Sequence, residues 1–300
     1  MALRRMSVLV LAFAALFWAG SSASAQTVTS LFFDNFESYN LGDLDKNDIF
    51  PTGTNLAPNG MGNPWFGPES GDANGLVINA ETGPEGVIMP FSGVQMLRGQ
   101  PVAGRDLDQN WYNLAYRLNN GAPFMENIIL DWQFYDPFDP NDPNVNPTDF
   151  RDYIALGFYD TAPPTTDAPD NYNLNVGFQQ IQRISLGAGP NITAVGFDPT
   201  VYQARIVGAD DSDLASGWFN SQTPRSLGWH HGMIVIGPMH DPANGDFTND
   251  VTFYIDDLTT PTVGPHTSVS NFGYNVIEIN TKFGAQTGYF DDINFSVVTP

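Results

Sequence analysis

From residue 26 onward the chain is a succession of short apolar runs, interrupted every few residues by Gly, Pro, Asn or Asp. Thr27–Phe33, Trp111–Leu118, Asn127–Phe134, Tyr153–Tyr159, Tyr202–Val207, Gly232–Ile236, Val251–Ile255 and Gly288–Val297 are rich in β-branched and aromatic residues, and several alternate strictly. Gly86–Met89, Val94–Leu97, Leu174–Phe178, Arg183–Leu186 and Val276–Thr281 are shorter runs of the same kind. Such segments suit a pleated surface on which successive side chains face core and solvent in turn. Few windows escape the breaker residues long enough to keep a 3.6-residue period, so no helix is predicted after the N-terminal segment. More than ten strands in one chain predict an all-β fold, a two-sheet antiparallel β-sandwich of jelly-roll type.

The polar stretches set the boundaries. Asn40–Asp72 and Asp136–Asp149 read as long loops, and Gly208–Ser226 as a third polar insertion. With no internal repeat and no long linker, residues 26–300 are expected to form a single domain. Ahead of it, Arg4-Arg5, the apolar run Val8–Ala19 and the small residues Ala23-Ser24-Ala25 have the three parts of an export signal, with cleavage before Gln26. That apolar run is 12 residues long, short of the roughly 20 a spanning helix needs. The expected mature protein is therefore secreted, extracellular or at the cell surface, with no membrane insertion.

Composition narrows the partners. The formal net charge is −22, and without Arg4 and Arg5 it becomes −24, with 9 basic against 33 acidic residues. So acidic a chain is a poor partner for nucleic acid or an anionic membrane. Hydrophobic residues make up 42% of the chain, enough to build a core and to exclude a disordered acidic protein. The absence of cysteine means that an exported chain of this size relies on packing, or on bound ions, rather than disulfides, which favours a bacterial setting.

Two segments carry a family resemblance. Gly228–Thr260 contains Trp229-His230-His231, an alternating strand to Ile236, a polar turn, and a second strand Val251–Ile255 closed by Asp256-Asp257. This resembles the laminin-G-like motif of a W-H-H strand followed by a strand ending Y-[IV]-D-G, with Asp257 where that family has Gly and a longer intervening loop. Phe32-Phe33-Asp34-Asn35-Phe36-Glu37-Ser38-Tyr39 and Gly288-Tyr289-Phe290-Asp291-Asp292-Ile293-Asn294-Phe295 resemble the first and last strands of concanavalin A-like domains in secreted bacterial proteins. The resemblance implies the lectin and glucanase jelly-roll superfamily, with the two terminal strands side by side. A fold of this kind hosts many activities.

If the termini pair in that way, Asp34, Glu37, Asp291 and Asp292 meet, and calcium, which takes six to eight oxygen ligands, is the cofactor that suits them. The same acids also suit a solvated strand end, and residue type leaves both readings open. Strand alternation puts Asp291 and Asp292 on opposite faces, as it does His230 and His231, so neither pair is expected to share one ion. Asp136–Asp149 lacks the Gly and the terminal Glu of an EF-hand loop and reads as a rigid surface loop. His240 sits in the loop after the W-H-H strand, within reach of either histidine as far as sequence shows.

Catalytic signals are missing. Glycosidases need two carboxylates across the scissile bond, yet none of the six glutamates (37, 69, 81, 85, 126, 278) falls in the E-x-D-x-x-E strand of glucanases with this fold, and Glu81–Glu85 reads as a turn. Gln180-Ile181-Gln182 lacks the His of the corresponding lyase strand. Aromatic platforms for sugar rings are then the better candidates, with Trp65 and Trp218 in Gly/Asn-rich loops as ligand contacts, and Trp111 and Trp132 as core. The expected function is a noncatalytic carbohydrate-binding or adhesion module for a polysaccharide or glycoconjugate. The alternatives are a structural surface protein and a divergent polysaccharide hydrolase or lyase.

Overall fold

A computed structural model describes residues 26–44, 65–66, 75–83, 86–99, 114–118, 122–147, 152–159, 180–188, 196–206, 217–244, 246–268, 273–280 and 288–299. The export signal, Trp111, Leu174–Phe178 and most of Asn40–Asp72 lie outside these residues. In chain order the strands are β1 (Thr27–Asp34), β2 (Gly42–Asp43), β3 (Trp65–Phe66), β4 (Gly75–Ile78), β5 (Glu81–Gly83), β6 (Gly86–Ile88), β7 (Met96–Gly99), β8 (Leu114–Arg117) and β9 (Asn127–Asp136). They continue as β10 (Asp152–Tyr159), β11 (Gln180–Ala188), β12 (Val201–Ile206), β13 (Trp218–Pro224), β14 (Gly228–Asp241), β15 (Asp246–Ile255), β16 (Val263–Thr267), β17 (Val276–Asn280) and β18 (Tyr289–Thr299).

Nine strands form one sheet, in the order β16-β15-β14-β9-β18-β7-β4-β2, with β1 also on β18; seven form the other, in the order β13-β12-β11-β10-β17-β8-β3. All strand pairs between the two ends of each sheet are antiparallel. The chain is thus a two-sheet antiparallel β-sandwich. The first and last strands pair directly, from Thr27 opposite Thr299 to Asp34 opposite Ile293.

Alternation explains the core. Ile128, Leu130, Trp132 and Phe134 of β9 face inward, with Ile234 and Ile236 of β14 and Val251, Phe253 and Ile255 of β15. They meet Ile154 and Leu156 of β10, Ile184 and Leu186 of β11, Tyr202 and Ala204 of β12 and Ile277 and Ile279 of β17. Burying one such side chain stabilises by about 1.5–3 kcal/mol, so a core of this extent has no need of disulfides. Gly232 is required by the packing: a Cβ there would lie 2.6 Å from the Trp132 ring.

Four sequence expectations change. Glu81 does not sit in a turn: it opens β5, which pairs with β6 from Glu81 opposite Ile88 to Gly83 opposite Gly86, and it forms an ion pair with Arg98 at 2.6 Å. This strand pair lies on the outer face of the nine-stranded sheet, over a second cluster of Ile88, Met96 and Tyr289 with Ile78, Tyr135 and Trp229 against it. Trp65 and Trp218 are strand residues, in β3 and β13, rather than loop residues. In residues 136–147, the carboxylates of Asp136, Asp139 and Asp142 accept from the backbone N–H two residues on, at Phe138, Asn141 and Asn144. Successive Asx turns, not an extended rod, shape that loop.

Candidate functional site

The acids at the paired ends converge only in part. Asp34 turns inward: its carboxylate accepts from Phe36 N–H (2.8 Å), Tyr39 O–H (2.8 Å) and Trp65 Nε1–H (2.8 Å). Burial raises its pKa, and these three donors hold the rise back. Asp34 is therefore a buried hydrogen-bond hub for the Asn35–Tyr39 turn, apart from the other three acids. Asp34→Ala strands three donors, and at about 1–3 kcal/mol for each buried orphan we expect a loss of roughly 3 kcal/mol in urea denaturation. A loss under about 0.5 kcal/mol would show that the donors find other partners.

Glu37, Asp291 and Asp292 do meet, where β1 and β7 abut along β18. Glu37 Oε1 accepts from the backbone N–H of Val94 (2.6 Å) and Gln95 (2.7 Å). Asp291 accepts from Ser92 N–H (2.9 Å), and Ser92 Oγ–H donates to Asp292 (2.8 Å). Both aspartates thus reach one residue, against the strict alternation expected of them. The cause is an irregularity in β18 between Asp291 and Asn294, where Asp292 takes φ 46° and the inward phase passes from Phe290 to Ile293. Burial, Asp292 and Glu37 push Asp291 up to about 7, against the backbone N–H of Ser92; burial, Asp131 and Glu37 also raise Asp292. As a calcium site the four acids do not form one ligand set, because Asp34 points away. Among the described residues no group of three or more His, Asp or Glu side chains is arranged to hold a metal ion.

The two tryptophans expected to contact ligand are both inside. Trp65 is 1% exposed, in the main core beside Phe32 and Phe36, with its indole N–H spent on Asp34. Trp218 is 3% exposed, with the Arg205 guanidinium 5.0 Å above its ring. Neither offers a ring face to a sugar. Trp132 is core, as expected.

An aromatic surface arises instead from the W-H-H strand. Trp229 and His231 face outward and His230 inward, as alternation requires. Trp229 packs edge-on to Tyr135 (5.7 Å) and to Phe91 (6.0 Å), and donates its indole N–H to Met89 O (2.9 Å). Phe91 is 49% exposed. Beside this pair a polar row crosses four adjacent strands: His231 Nε2 lies 3.4 Å from Asp131 Oδ1, Asn294 Nδ2–H donates to Asp131 Oδ2 (2.9 Å), and Ser30 Oγ–H donates to Asn294 Oδ1 (2.7 Å). Strand spacing makes this row roughly 14 Å long. Phe33, 56% exposed, flanks its far end on β1. None of Phe91, Trp229, Asp131 or Asn294 stood out in the sequence as a ligand contact, since the row exists only once β14, β9, β18 and β1 are side by side. The one local signal was the i, i+2 relation of Trp229 and His231.

The other histidines are occupied structurally. His230 Nδ1 is 2.8 Å from Asp256 Oδ2 and Nε2 is 2.7 Å from Ser226 O. Both partners only accept, so both ring nitrogens carry protons. Burial opposes that charge but Asp256 outweighs it, and the pKa is raised. Asp256, not Asp257, occupies the left-handed position after the strand, at φ 60°. His240 is held across the hairpin by Thr248 and Asp250.

No protein-family model matches the chain, and no curated protein matches it in sequence. Solved structures similar to it include the CBM2 module of Lactobacillus casei BL23 phage J-1 evolved Dit, with 12% identity over 92% of this chain and 98% of that one, at a TM-score of 0.33. Lectin II from Ulex europaeus gives 14% identity over 76% and 93% of the two chains, at a TM-score of 0.33. Botulinum neurotoxin type C, whose cell entry depends on two ganglioside molecules, gives 10% identity over 87% of this chain and 48% of that one, at a TM-score of 0.36. These likenesses concern fold, and the sandwich assignment rests on the strand order itself.

Proposed function

We propose that the protein is a noncatalytic carbohydrate-binding module with a concanavalin A-like sandwich, secreted after removal of residues 1–25. The observation that carries this reading is the juxtaposition of half-exposed Phe91 and half-buried Trp229 with the His231–Asp131–Asn294 row. An aromatic surface suits the apolar CH face of a sugar, while a carboxylate and an amide with lone pairs to spare accept from its hydroxyls. A polysaccharide or glycoconjugate is the partner of that chemistry.

Binding to a glycan array, followed by titration of the best ligand, tests it. Phe91→Ala and Asp131→Asn are each expected to weaken binding about tenfold or more, the equivalent of losing one stacking or charge-assisted contact. Circular dichroism should show both variants folded, because Phe91 lies at the surface and Asn keeps an acceptor for Asn294. No binding to any glycan, or unchanged affinity in both variants, would sink the reading.

A hydrolase is the second reading, favoured by Asp292, whose pKa is raised beside Asp131. Two carboxyl groups facing one site are the equipment of acid–base cleavage. Release of reducing ends from the same glycans, abolished by Asp131→Asn, would decide for it.

A further inference from the structure

We propose that the same face selects against acidic glycans and that Asp292 is the residue that sets this preference; the proposal rests on the carbohydrate-binding reading above. Asp292 stands half-buried between the aromatic pair and the polar row: Ser92, next to Phe91, donates to its carboxylate, and its neighbouring charges are Asp131, Glu37 and His231. Two of these three are acids, and both act to raise its pKa. The basic one among them, His231, already leans on Asp131.

Among the described residues no guanidinium relieves that field. Of the arginines whose side chains are described, Arg98 is engaged with Glu81, Arg205 lies over Trp218, and Arg225 pairs with Asp136. A uronate or sulfate arriving on the row meets like charge at short range, whereas a neutral or amino sugar does not. Specificity of this kind comes from a repulsive element beside the attractive contacts. One like charge at about 6 Å in a partly desolvated site is worth on the order of tenfold in affinity.

The conformation makes the residue testable by itself. Asp292 has φ 46°, a region that Asn also tolerates. Asp292→Asn therefore removes the charge and keeps an oxygen to accept from Ser92. The probes are a neutral gluco-oligosaccharide, a chitosan oligomer and an oligogalacturonate of equal length, titrated against the full chain at low ionic strength and pH 8.

The wild-type protein is expected to bind the acidic oligomer at least tenfold more weakly than the better of the other two. Asp292→Asn should narrow that gap several-fold, by raising affinity for the acidic oligomer relative to the neutral one. Equal affinity for acidic and neutral oligomers in the wild type overturns the selectivity but leaves the carbohydrate reading in place. An unaltered gap in Asp292→Asn overturns the assignment to this residue. If none of the three probes, nor any glycan on the array, binds, the carbohydrate reading falls and the selectivity with it.

Discussion

Replacing Arg225 with methionine is expected to destabilise the protein by about 3–5 kcal/mol, the usual consequence of leaving one partner of a buried ion pair uncompensated. The guanidinium and the Asp136 carboxylate are both fully buried and bidentate, with Nε and Nη2 each 2.9 Å from a carboxylate oxygen. Nη1 donates to Pro147 O (2.8 Å) and Pro199 O (3.1 Å), so one side chain ties the Asx-turn loop to the start of β12. Its plane also lies 4.9 Å from the Phe138 ring. Once it is gone, Phe138 N–H remains as a partner to the Asp136 carboxylate, which is too little for a buried charge. At roughly 2–4 °C per kcal/mol for a chain of this size, the melting midpoint should fall by about 10 °C or more. The double variant Asp136→Leu, Arg225→Met should recover a good part of the loss, because an apolar pair leaves no orphan. A double variant as unstable as the single one would show that shape, not charge, is what Arg225 supplies.

Stability is expected to fall as pH rises from 5 to 8, the reverse of the common trend for a protein with acid-paired bases. Asp291, Asp292, Asp34 and Asp152 all have raised pKa values in the fold. For each, burial is the first cause; Asp152 is driven up further by Asp136, with Arg225 opposing. Among the described residues neither Asp152 oxygen has a hydrogen-bond partner, so no donor offsets the cost of burying its charge. A raised carboxyl binds its proton more tightly when folded, and its contribution is whole below the unfolded value near 4 and lost as pH climbs through the folded one. Asp291, going to about 7, sets the window.

His230 acts in the same direction, since its stabilising proton is lost as pH passes its raised value. Asp198, Asp256 and Asp257 have lowered values and matter only on the acid side, where stability falls below about pH 4. The rise of Asp291 to about 7, roughly three units, is worth at most ~4 kcal/mol. Thermal melts should therefore give a midpoint at pH 8 at least about 5 °C below that at pH 5. Asp152→Asn, which removes a titration without removing a hydrogen bond, should flatten the slope. A midpoint that rises across this range would contradict the assignment.

Much of the sandwich was legible because strand alternation is a local property. β9, β14 and β15 each show their core face in the order of their residues, and the opposite orientations of His230 and His231 follow from period two alone. The pairing of β1 with β18 was legible through the family resemblance of their motifs, not through any local signal. Trp65 was misplaced because its burial depends on Asp34, 31 residues earlier, and a loop-like neighbourhood of Gly, Pro and Asn conceals a two-residue strand. Trp218 was misplaced for a like reason: β13 is made largely of polar residues at the edge of its sheet, where ladder bonds rather than hydrophobicity define the strand. The irregularity at Asp291–Asn294 broke the alternation by one residue, and no sequence period announces it.

By itself, then, the sequence determined the class of fold, the net acidity of the chain, and which side chains of the long strands are core, because these follow from residue type and a two-residue period. The fate of each acid was decided only by tertiary structure: Asp34 became a buried hub, Asp136 an ion-pair partner, and Asp291 and Asp292 a shared clamp on Ser92. The candidate sugar-binding row was decided there too. Its members lie on four strands brought side by side from opposite ends and the middle of the chain, and hydrogen bonding and desolvation act on distance in space, of which chain position is no measure.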